Sequence, residues 1–363
     1  MSNTQQKALF LLEKFGDFAV RSSAVHTPGP GELLIKNGGV ALNPVDWKIQ
    51  KYGFGIDNFP AVIGMDLAGS VEEVGEGVTS FKKGDQVVGS GFWSPKQAAF
   101  QQYTVLNAKY AAKVMPSCIG RSTLPESVSA EQASSLPIGL TTAAVGLYQK
   151  ANLGAGLTAP WEQGGKGKYA GKPFIALGGS SSVGAYVLQL AKLSGFSPII
   201  TTASSHNAAY LESLGATHVL DRHLDSAALQ KAVASITELP VDVIYDTIAE
   251  ADTQKLAYEL LSANGTLIVT GSASVGDKND SKTVISTIGS PFVPGNGEVA
   301  EGLYANLETY LDTRAIQSLT ASLQTNQVEV LPGGLEGIVG GLERLREGKV
   351  SASKLVVRPQ ETP

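Results

Sequence analysis

The sequence predicts an α/β protein with two folding units, one rich in short strands and one in which strands and helices alternate. Its 363 residues are many for one domain and suit two. From residue 174 onward, short apolar runs alternate with stretches of helical periodicity. Before residue 130, short apolar runs are instead separated by Pro, Gly and Asp turns. This change of pattern indicates that the first part forms a separate β-rich unit.

The most informative stretch is residues 174–192, in which a strand, a glycine turn and a helix follow one another. The apolar run 174–177 predicts a buried strand, and the apolar residues after the turn recur at helical spacing. Gly178 and Gly179 permit the turn, and Gly184 lets the helix pack close to the strand. The free N–H groups and the positive dipole end at the start of such a helix suit a pyrophosphate.

The turn alone is a weak signal. Its sequence, Gly179-x-Ser181-x-x-Gly184, has serine at the second glycine of the G-x-G-x-x-G pattern, and many such turns bind no ligand. The chain continues, however, with a predicted strand at 195–202, a helix at 208–215 and a strand at 218–221. This βαβαβ succession predicts a nucleotide at the turn. The expected contacts there are Gly179, Ser180, Ser181, Ser182 and Val183.

The end of the second of these strands distinguishes NAD from NADP. An NAD site usually carries Asp or Glu there, about 20 residues after the glycines, to bind the ribose 2′-hydroxyl. Here the place is taken by Thr202-Ala-Ser-Ser-His-Asn207, which has no carboxylate to repel a 2′-phosphate. These residues either cap the following helix or bind the phosphate, and both roles are compatible. We favour NADP(H) over NAD(H), with the phosphate bound by Ser204, Ser205, His206, Asn207 and Arg222.

The remaining patterns complete the two units. Further strands of the first unit are predicted at 33–36, 69–74, 85–88 and 103–106. Helices are predicted at 129–136, 139–149 and 253–261, and an amphipathic helix at 336–348. The alternating unit continues with strands at 241–246 and 265–271, and the chain ends with a strand at 354–357. The composition of residues 158–171 predicts a loop.

Composition excludes several classes of function. A net charge of −5 argues against nucleic acid or an anionic membrane surface as the partner. The single cysteine, Cys118, excludes a disulfide framework and a cysteine-based zinc cluster. No apolar run reaches the roughly 18 residues of a membrane span, and the N-terminus has no signal-peptide core. We therefore expect a soluble, cytoplasmic protein.

Several motifs occur in the order typical of the medium-chain dehydrogenases/reductases. These are Asn43-Pro-Val-Asp-Trp-Lys48, the glycine and valine positions of 64–75, Phe81-x-x-Gly84-Asp85-x-Val87, 99–103, 180–184 and 348–357. Over nearly its whole length the chain resembles the zinc-independent quinone oxidoreductase/enoyl reductase branch. More narrowly, it is similar to fungal stand-alone enoyl reductases that serve polyketide synthases.

The resemblance implies a fold and a position for the coenzyme. It implies a GroES-like catalytic domain formed by residues 1–140 and 318–363, and a doubly wound Rossmann domain formed by residues 141–317. It also implies a nicotinamide held in the cleft between the two domains. Beyond the glycine turn and the phosphate site, the expected coenzyme contacts are Asn43, Asp46, Lys48, Thr270, Ser351 and Lys354.

The same resemblance indicates that no metal takes part. At the positions where zinc-dependent relatives carry a cysteine, a histidine-glutamate pair and a second cysteine, this chain has Asn43, Met65-Asp66 and Ile138. Zinc needs several N, S or carboxylate ligands, and one carboxylate does not provide them. Val45 replaces the hydroxyl that relays the alcohol proton. Asp66 is expected either to pair with a base such as Lys48 or, more simply, to cap a turn.

What remains is hydride delivery to a C=C bond whose neighbouring carbonyl accepts the developing charge. Lys48 lies in the motif that contacts the nicotinamide ribose in similar enzymes. It is expected to fix the ribose, hold a phosphorylated substrate arm or donate a proton, although an exposed lysine is often only a solvated charge. Thr142 resembles family residues near the nicotinamide, and Tyr52 is a second candidate donor. Either could instead be a satisfied polar group of the core.

Three functions are therefore open. The first is an NADPH-dependent reductase of α,β-unsaturated carbonyls, namely enones, quinones or enoyl thioesters, with a small-molecule substrate. The second is a trans-acting enoyl reductase whose substrate arrives on a carrier protein of a polyketide synthase. The third is a nucleotide-binding protein without catalysis, like the lens crystallins that share this family's fold. The presence of Lys48 argues against the third.

Overall fold

The structure is a computed structural model that describes residues 4–114, 128–275, 281–311 and 323–363. Its strands are β1 (Gln5–Leu11), β2 (Phe18–Ala24), β3 (Glu32–Ala41), β4 (Ala61–Val62), β5 (Asp66–Val74), β6 (Gln86–Ser90), β7 (Tyr103–Asn107), β8 (Ala111–Lys113), β9 (Phe174–Leu177), β10 (Ile199–Ala203), β11 (His218–Asp221), β12 (Val243–Asp246), β13 (Thr266–Thr270), β14 (Thr283–Thr287), β15 (Val328–Val330) and β16 (Lys354–Val357). Its α-helices are α1 (Pro44–Tyr52), α2 (Ala130–Ser134), α3 (Pro137–Tyr148), α4 (Ser182–Ser194), α5 (Ala208–Leu214), α6 (Ser226–Ile236), α7 (Ala251–Leu260), α8 (Gly297–Leu311) and α9 (Gly337–Arg346).

The chain divides into two compact units, and both chain ends belong to the first. The first unit comprises Met1–Ile138 and Tyr304–Pro363, and the second comprises Gly139–Leu303. The first division lies two residues from the predicted boundary at 140/141. The second falls inside α8, well before the predicted boundary at 317/318, because the last turns of that helix associate with the first unit. The predicted boundary itself lies outside the described residues.

The first unit contains two mainly antiparallel sheets. One has the order β2-β1-β4, and the other has the order β15-β16-β3-β5-β6-β8 with β7 paired to β3. The C-terminal strand β16 pairs antiparallel with β3, so that Val356 lies opposite Ala41. Side chains of these strands form the core, which includes Leu9, Leu33, Ile35, Val40, Leu67 and Leu355. This is the predicted GroES-like, β-rich unit.

The second unit is built on a six-stranded parallel sheet in the order β11-β10-β9-β12-β13-β14. The strand order reverses between β9 and β12, which is the switch point at which doubly wound sheets bind nucleotides. Buried apolar side chains on the sheet, including Ile175, Ile200, Ile244 and Leu267, form the core. The predicted α/β fold class, with a GroES-like unit and a doubly wound unit, is therefore confirmed.

Most predicted elements of the second unit occur where they were expected. β9 and β11 have the predicted bounds, and α5 ends at the predicted glycine, Gly215. β10 starts only at Ile199, because Gly195 ends α4 in a left-handed conformation and Pro198 precedes the strand. β14 was not predicted. Among the helices of the described residues, none is both long and apolar enough to cross a membrane.

Candidate functional site

The glycine turn between β9 and α4 is anchored to the neighbouring strand by two threonines. Gly178 N–H donates to Thr202 Oγ1 at 3.1 Å, and Gly179 N–H donates to Thr201 Oγ1 at 3.0 Å. A Cβ on Gly179 would lie 2.3 Å from Thr201 Oγ1, and one on Gly184 would lie 2.3 Å from the Gly178 carbonyl oxygen. Both glycines are therefore required by the close approach of backbone and side chains, as the sequence predicted.

The start of α4 is exposed enough to receive an anion. Ser181 is the N-cap, and its hydroxyl accepts from Gly184 N–H at 2.9 Å and donates to Thr247 Oγ1 at 2.9 Å. Thr247 in turn donates to the carbonyl of Leu177 at 2.8 Å, which fixes the turn against β9. The predicted contacts 180–183 are only half-buried. Together with the helix dipole, this geometry suits a pyrophosphate.

The predicted phosphate-binding residues lie together at the carboxyl end of β10. Ser204 is half-buried, Ser205 and His206 are exposed, and Asn207 is only 7% exposed. The backbone N–H of Arg222 donates to Ala203 at 3.1 Å, which brings that arginine to the same strand end. Its guanidinium is exposed and donates to His223 at 3.3 Å.

Helix capping does not explain this polar cluster. Neither Ser204, which precedes the short 3₁₀ turn, nor Asn207, which precedes α5, makes a side-chain cap hydrogen bond. The Nδ2 group of Asn207 is buried and finds no partner within the described chain. A buried amide donor without a partner is costly unless a ligand accepts from it. This unpaired donor fits an anionic group such as a ribose 2′-phosphate.

In the first unit, a buried ionic cluster occupies the positions that zinc-dependent relatives use for metal. The Lys354 ammonium donates to Asn43 Oδ1 at 2.6 Å and to Asp66 Oδ2 at 3.0 Å. Asn43 Nδ2 donates to Asp66 Oδ2 at 2.9 Å, and Ile138 N–H donates to Asp66 Oδ1 at 2.7 Å. The side chains of Lys354 and Asp66 are 4% and 0% exposed. Lys354 is thus the counter-ion of Asp66.

This cluster does not fit a zinc ion. Both oxygens of Asp66 and the oxygen of Asn43 already accept hydrogen bonds, and Met65 and Ile138 bring no zinc-binding atom of the usual kind. Within the described ranges no group of three His, Cys, Asp or Glu residues could hold a metal. Of the two alternatives for Asp66, the base that pairs with it is Lys354 and not Lys48, and its other oxygen accepts from Ile138 N–H next to the start of α3.

Asp46 lies beside this cluster, at the third position of α1. Its Oδ2 accepts from Asn43 N–H at 2.8 Å, while its Oδ1 is buried and without a hydrogen-bond partner among the described residues. Burial raises the pKa of Asp46 to about 7, and the nearby Asp66 carboxylate adds to the rise. Two buried carboxyl groups therefore lie near one buried ammonium, and burial moves the pKa of Asp46 into the neutral range.

Lys48 and Tyr52 lie one helical turn apart on α1. Lys48 is exposed, its ammonium is 5.7 Å from the ring centroid of Trp47, and it forms no ion pair with a described residue. Tyr52 is 57% exposed and is therefore not a polar group of the core. The spacing of four residues places both side chains on one face of the helix.

Three further predicted contacts lie elsewhere. Thr142 belongs to the second unit, where it is 3% exposed within α3. Thr270, at the end of β13, has a buried hydroxyl without a partner in the described residues. Ser351 is exposed in the segment before β16. Their roles at the coenzyme remain predictions.

The sequence did not predict the residues that hydrogen-bond to the glycine turn and to α3. Thr201 and Thr247 fix the glycine turn, and Tyr245 donates from β12 to the carbonyl of Thr142. The available signal was the presence of hydroxyl side chains in or next to otherwise apolar strands. A buried hydroxyl usually has a hydrogen-bond partner, so such residues indicate a bond to a neighbouring element.

Two family models match the chain and together span more than half of it. Residues 29–117 match the alcohol dehydrogenase GroES-like domain, and residues 182–290 match the zinc-binding dehydrogenase domain. The chain belongs to the medium-chain dehydrogenase/reductase family. Within that family its relatives include fungal trans-enoyl reductases, which confirms the resemblance to enoyl reductases that the sequence motifs indicated.

Individual relatives align over nearly the full length. The trans-enoyl reductase himH of Aspergillus japonicus is 32% identical over 90% of this chain and 89% of its own length. The structure of the quinone oxidoreductase from Coxiella burnetii matches with a TM-score of 0.68 at 21% identity, covering 98% of this chain and 99% of that one. The structure of mycobacterial Rv1454c complexed with NADPH matches with a TM-score of 0.71 at 22% identity, covering 98% of this chain and 100% of that one.

Proposed function

We propose that this oxidoreductase is an NADPH-dependent reductase that delivers hydride, without a metal, to the C=C bond of an α,β-unsaturated carbonyl. The observation that carries the proposal is the Lys354–Asp66–Asn43 cluster, because its hydrogen bonds use the oxygen atoms that a metal would need. A metal-bound alkoxide is then not available to activate an alcohol, and direct hydride transfer to an electron-poor alkene is the chemistry that remains.

The preference for NADPH over NADH rests on the end of β10. Residues 203–207 contain no carboxylate, and they bring two hydroxyls, an imidazole and the unpaired Asn207 amide to one place. Arg222 adds a positive charge that is not engaged in an ion pair with a described residue. Charge-assisted contacts to phosphate contribute roughly 1.5 to 3 kcal/mol each when well made. The relative Rv1454c is described as complexed with NADPH, which supports this preference.

Each catalytic candidate has a distinct task in this reaction. Bound NADPH supplies the hydride. Lys48 holds the ribose or donates a proton, and the exposed Tyr52 hydroxyl, one turn further along α1, is an alternative proton donor. Thr142, in α3, is the third candidate, because it resembles family residues near the nicotinamide. A positioned donor to the substrate carbonyl stabilises the charge that develops there during hydride transfer.

The test of the reaction class is turnover with a panel of enones, quinones and enoyl thioesters. Oxidation of NADPH with at least one class is expected, and absence of oxidation with every class would contradict the proposal. The test of the coenzyme site is Ser205→Ala combined with Arg222→Gln. The dissociation constant for NADPH should rise at least tenfold, since one charge-assisted contact to phosphate is worth about that much, while that for NADH should change less than twofold.

A matched control uses Lys231→Gln combined with Ser235→Ala, two exposed residues of α6. It removes the same kinds of group from another surface and should leave both dissociation constants unchanged. An unaltered NADPH/NADH preference in the Ser205/Arg222 variant would show that the 2′-phosphate lies elsewhere.

A carrier-bound substrate is the second candidate. It is supported by the relative himH, which is a trans-enoyl reductase and matches this chain over nine-tenths of its length. To distinguish a carrier-bound from a free substrate, kcat/KM is measured for an enoyl chain on a polyketide carrier protein and for the same chain on a short free thioester. Higher kcat/KM for the carrier-bound chain is expected for this candidate, and equal values would favour a small free substrate.

A further inference from the structure

Tyr245 is a fully buried tyrosine in the middle of the second unit, one residue before the end of β12. Its hydroxyl donates to the backbone carbonyl of Thr142 in α3 at 2.8 Å. A carbonyl in a helix already accepts from the N–H four residues on, so the phenol uses the second lone pair of that oxygen. The bond therefore ties α3 to the sheet at the residue predicted to face the nicotinamide.

Two glycines allow the close packing around this bond. A Cβ on Gly146 would lie 2.5 Å from the Tyr245 hydroxyl oxygen, so only glycine lets the phenol reach the helix backbone. On the other side of Thr142, a Cβ on Gly289 would lie 1.9 Å from the Thr142 Oγ1. The chain after β14 thus packs against Thr142 at backbone distance. Both contacts restrict where the threonine side chain can lie.

The phenol is kept as a hydrogen-bond donor by its environment. Burial raises the pKa of Tyr245 well above its ordinary value, and the hydroxyls of Thr270 and Thr287 lie close enough to counter part of that rise. Neither threonine hydroxyl has a partner of ordinary hydrogen-bond geometry among the described residues. The raised pKa favours the protonated phenol, whose hydroxyl donates to the Thr142 carbonyl.

We propose that Tyr245 is a positioning residue that holds Thr142 at the carboxyl edge of the sheet for hydride transfer. The inference rests on the proposed function, because Thr142 receives its role there. It assigns no contact between Tyr245 and substrate or coenzyme. Small displacements of reacting groups have large effects on rate, so a helix that loses this tie should turn over more slowly without binding coenzyme less well.

The test is Tyr245→Phe, which removes one oxygen atom and leaves the ring in the core. The carbonyl of Thr142 keeps its intrahelical bond, so no buried acceptor is left unpaired and the variant should fold. The kcat with the best substrate of the panel should fall about tenfold, while the KM for NADPH should change less than twofold. Amides of residues 142–146 should exchange hydrogen faster than in the unmodified protein.

Tyr148→Phe is the matched control. Tyr148 is a buried tyrosine at the other end of α3, and its hydroxyl bonds to the Leu190 carbonyl at 3.2 Å and to Ser194 Oγ at 2.8 Å. The substitution removes the same phenol oxygen, but from a hydrogen bond that does not involve Thr142, and should leave kcat within twofold. An equal fall of kcat in both variants would show a general packing effect and would overturn the proposal.

The double variant with Thr142→Val separates a positioning role from a direct one. If Tyr245 acts through the Thr142 hydroxyl, adding Tyr245→Phe to Thr142→Val should lower kcat no further. A further tenfold loss would overturn the proposal, and so would an unchanged kcat in Thr142→Val alone. If the unmodified protein reduces no substrate, the proposed function fails, and hydrogen exchange still decides whether Tyr245 fixes α3. Unchanged exchange at 142–146 would overturn the inference on its own.

Discussion

Replacing Asp46 by asparagine should remove a pH-dependent cost to the stability of the first unit. The Asp46 carboxyl is fully buried, one of its oxygens has no partner in the described chain, and its pKa is raised from 3.8 to about 7. Burial is the main cause, and the nearby Asp66 charge adds to it. Asparagine is uncharged at every pH and can still accept from Asn43 N–H, so it imitates the protonated acid.

The size of the effect follows from the two pKa values. The folded state binds the Asp46 proton more tightly than the unfolded chain, so stability is greatest at low pH and falls as the pH rises through about 7. Between pH 5 and pH 8 the free energy of unfolding of the native protein should fall by about 2.5 kcal/mol relative to that of Asp46→Asn. The sign is opposite to that of a salt-bridged aspartate.

The assay is urea unfolding at pH 5, 6.5 and 8, followed by tryptophan fluorescence. The chain has three tryptophans, of which Trp47 and Trp93 lie in the first unit and Trp161 in the second. A Trp161→Phe background therefore confines the signal to the unit that contains Asp46, which matters because two units need not unfold together. Asp57→Asn, at an exposed position of the same unit, is the control for the loss of one negative charge.

The reasoning would be refuted if the stabilities of the native protein and of Asp46→Asn ran parallel from pH 5 to pH 8. Parallel curves would mean that Asp46 has an ordinary pKa in the folded state and that water or another donor satisfies its second oxygen. A difference that grew toward low pH would mean that the carboxyl is stabilised as an anion. Asp57→Asn should give the parallel curves in either case.

Two further substitutions test the cluster and the turn. Lys354→Met leaves Asp66 buried without its counter-ion and should lower the free energy of unfolding by about 3 to 5 kcal/mol. Arg344→Gln, which breaks an exposed pair with Glu329, should lower it far less, and equal losses would contradict the ionic account. Gly184→Ala should lower the melting temperature, because its Cβ would lie 2.3 Å from the Gly178 carbonyl oxygen. The control is Gly340→Ala in α9, where a Cβ would have nothing within 4 Å, and it should leave the melting temperature unchanged or raise it. An unchanged melting temperature in Gly184→Ala would show that the turn relaxes freely.

Local sequence patterns predicted the strands that are short apolar runs bounded by turn-forming residues. β9 and β16 occur at their predicted residues because each is a short run of buried side chains next to a turn. β11 also occurs at its predicted residues, with its two central side chains half-buried and its two end residues exposed. β14 escaped prediction because three of its five residues are Thr or Ser and only Ile285 and Thr287 are buried, which leaves little apolar periodicity. α1 was not predicted either, although Pro44 and the Asn43–Asp46 capping box are start signals.

The site was predictable where its residues are neighbours in sequence and was not where the fold brings distant residues together. The turn at 178–184 and the polar cluster at 204–207 follow from motif and strand end. The bond between Lys354 and Asn43 joins residues 311 positions apart in sequence and was not predicted. The Tyr245–Thr142 bond spans 103 positions. Burial of a charge or a phenol against a particular partner depends on packing, which a single sequence does not show.

The most direct test of direct, metal-free reduction of an alkene is the fate of deuterium from NADPH labelled at C4 of the nicotinamide ring. Purified protein, with its zinc content measured, is incubated with labelled coenzyme and an enone, a quinone and an enoyl thioester. The account predicts less than one-tenth of a zinc ion per chain and, for an enone or thioester substrate, one deuterium at the β-carbon of a saturated carbonyl product. Deuterium on the carbonyl carbon of an alcohol product, or turnover that requires stoichiometric zinc, would contradict it.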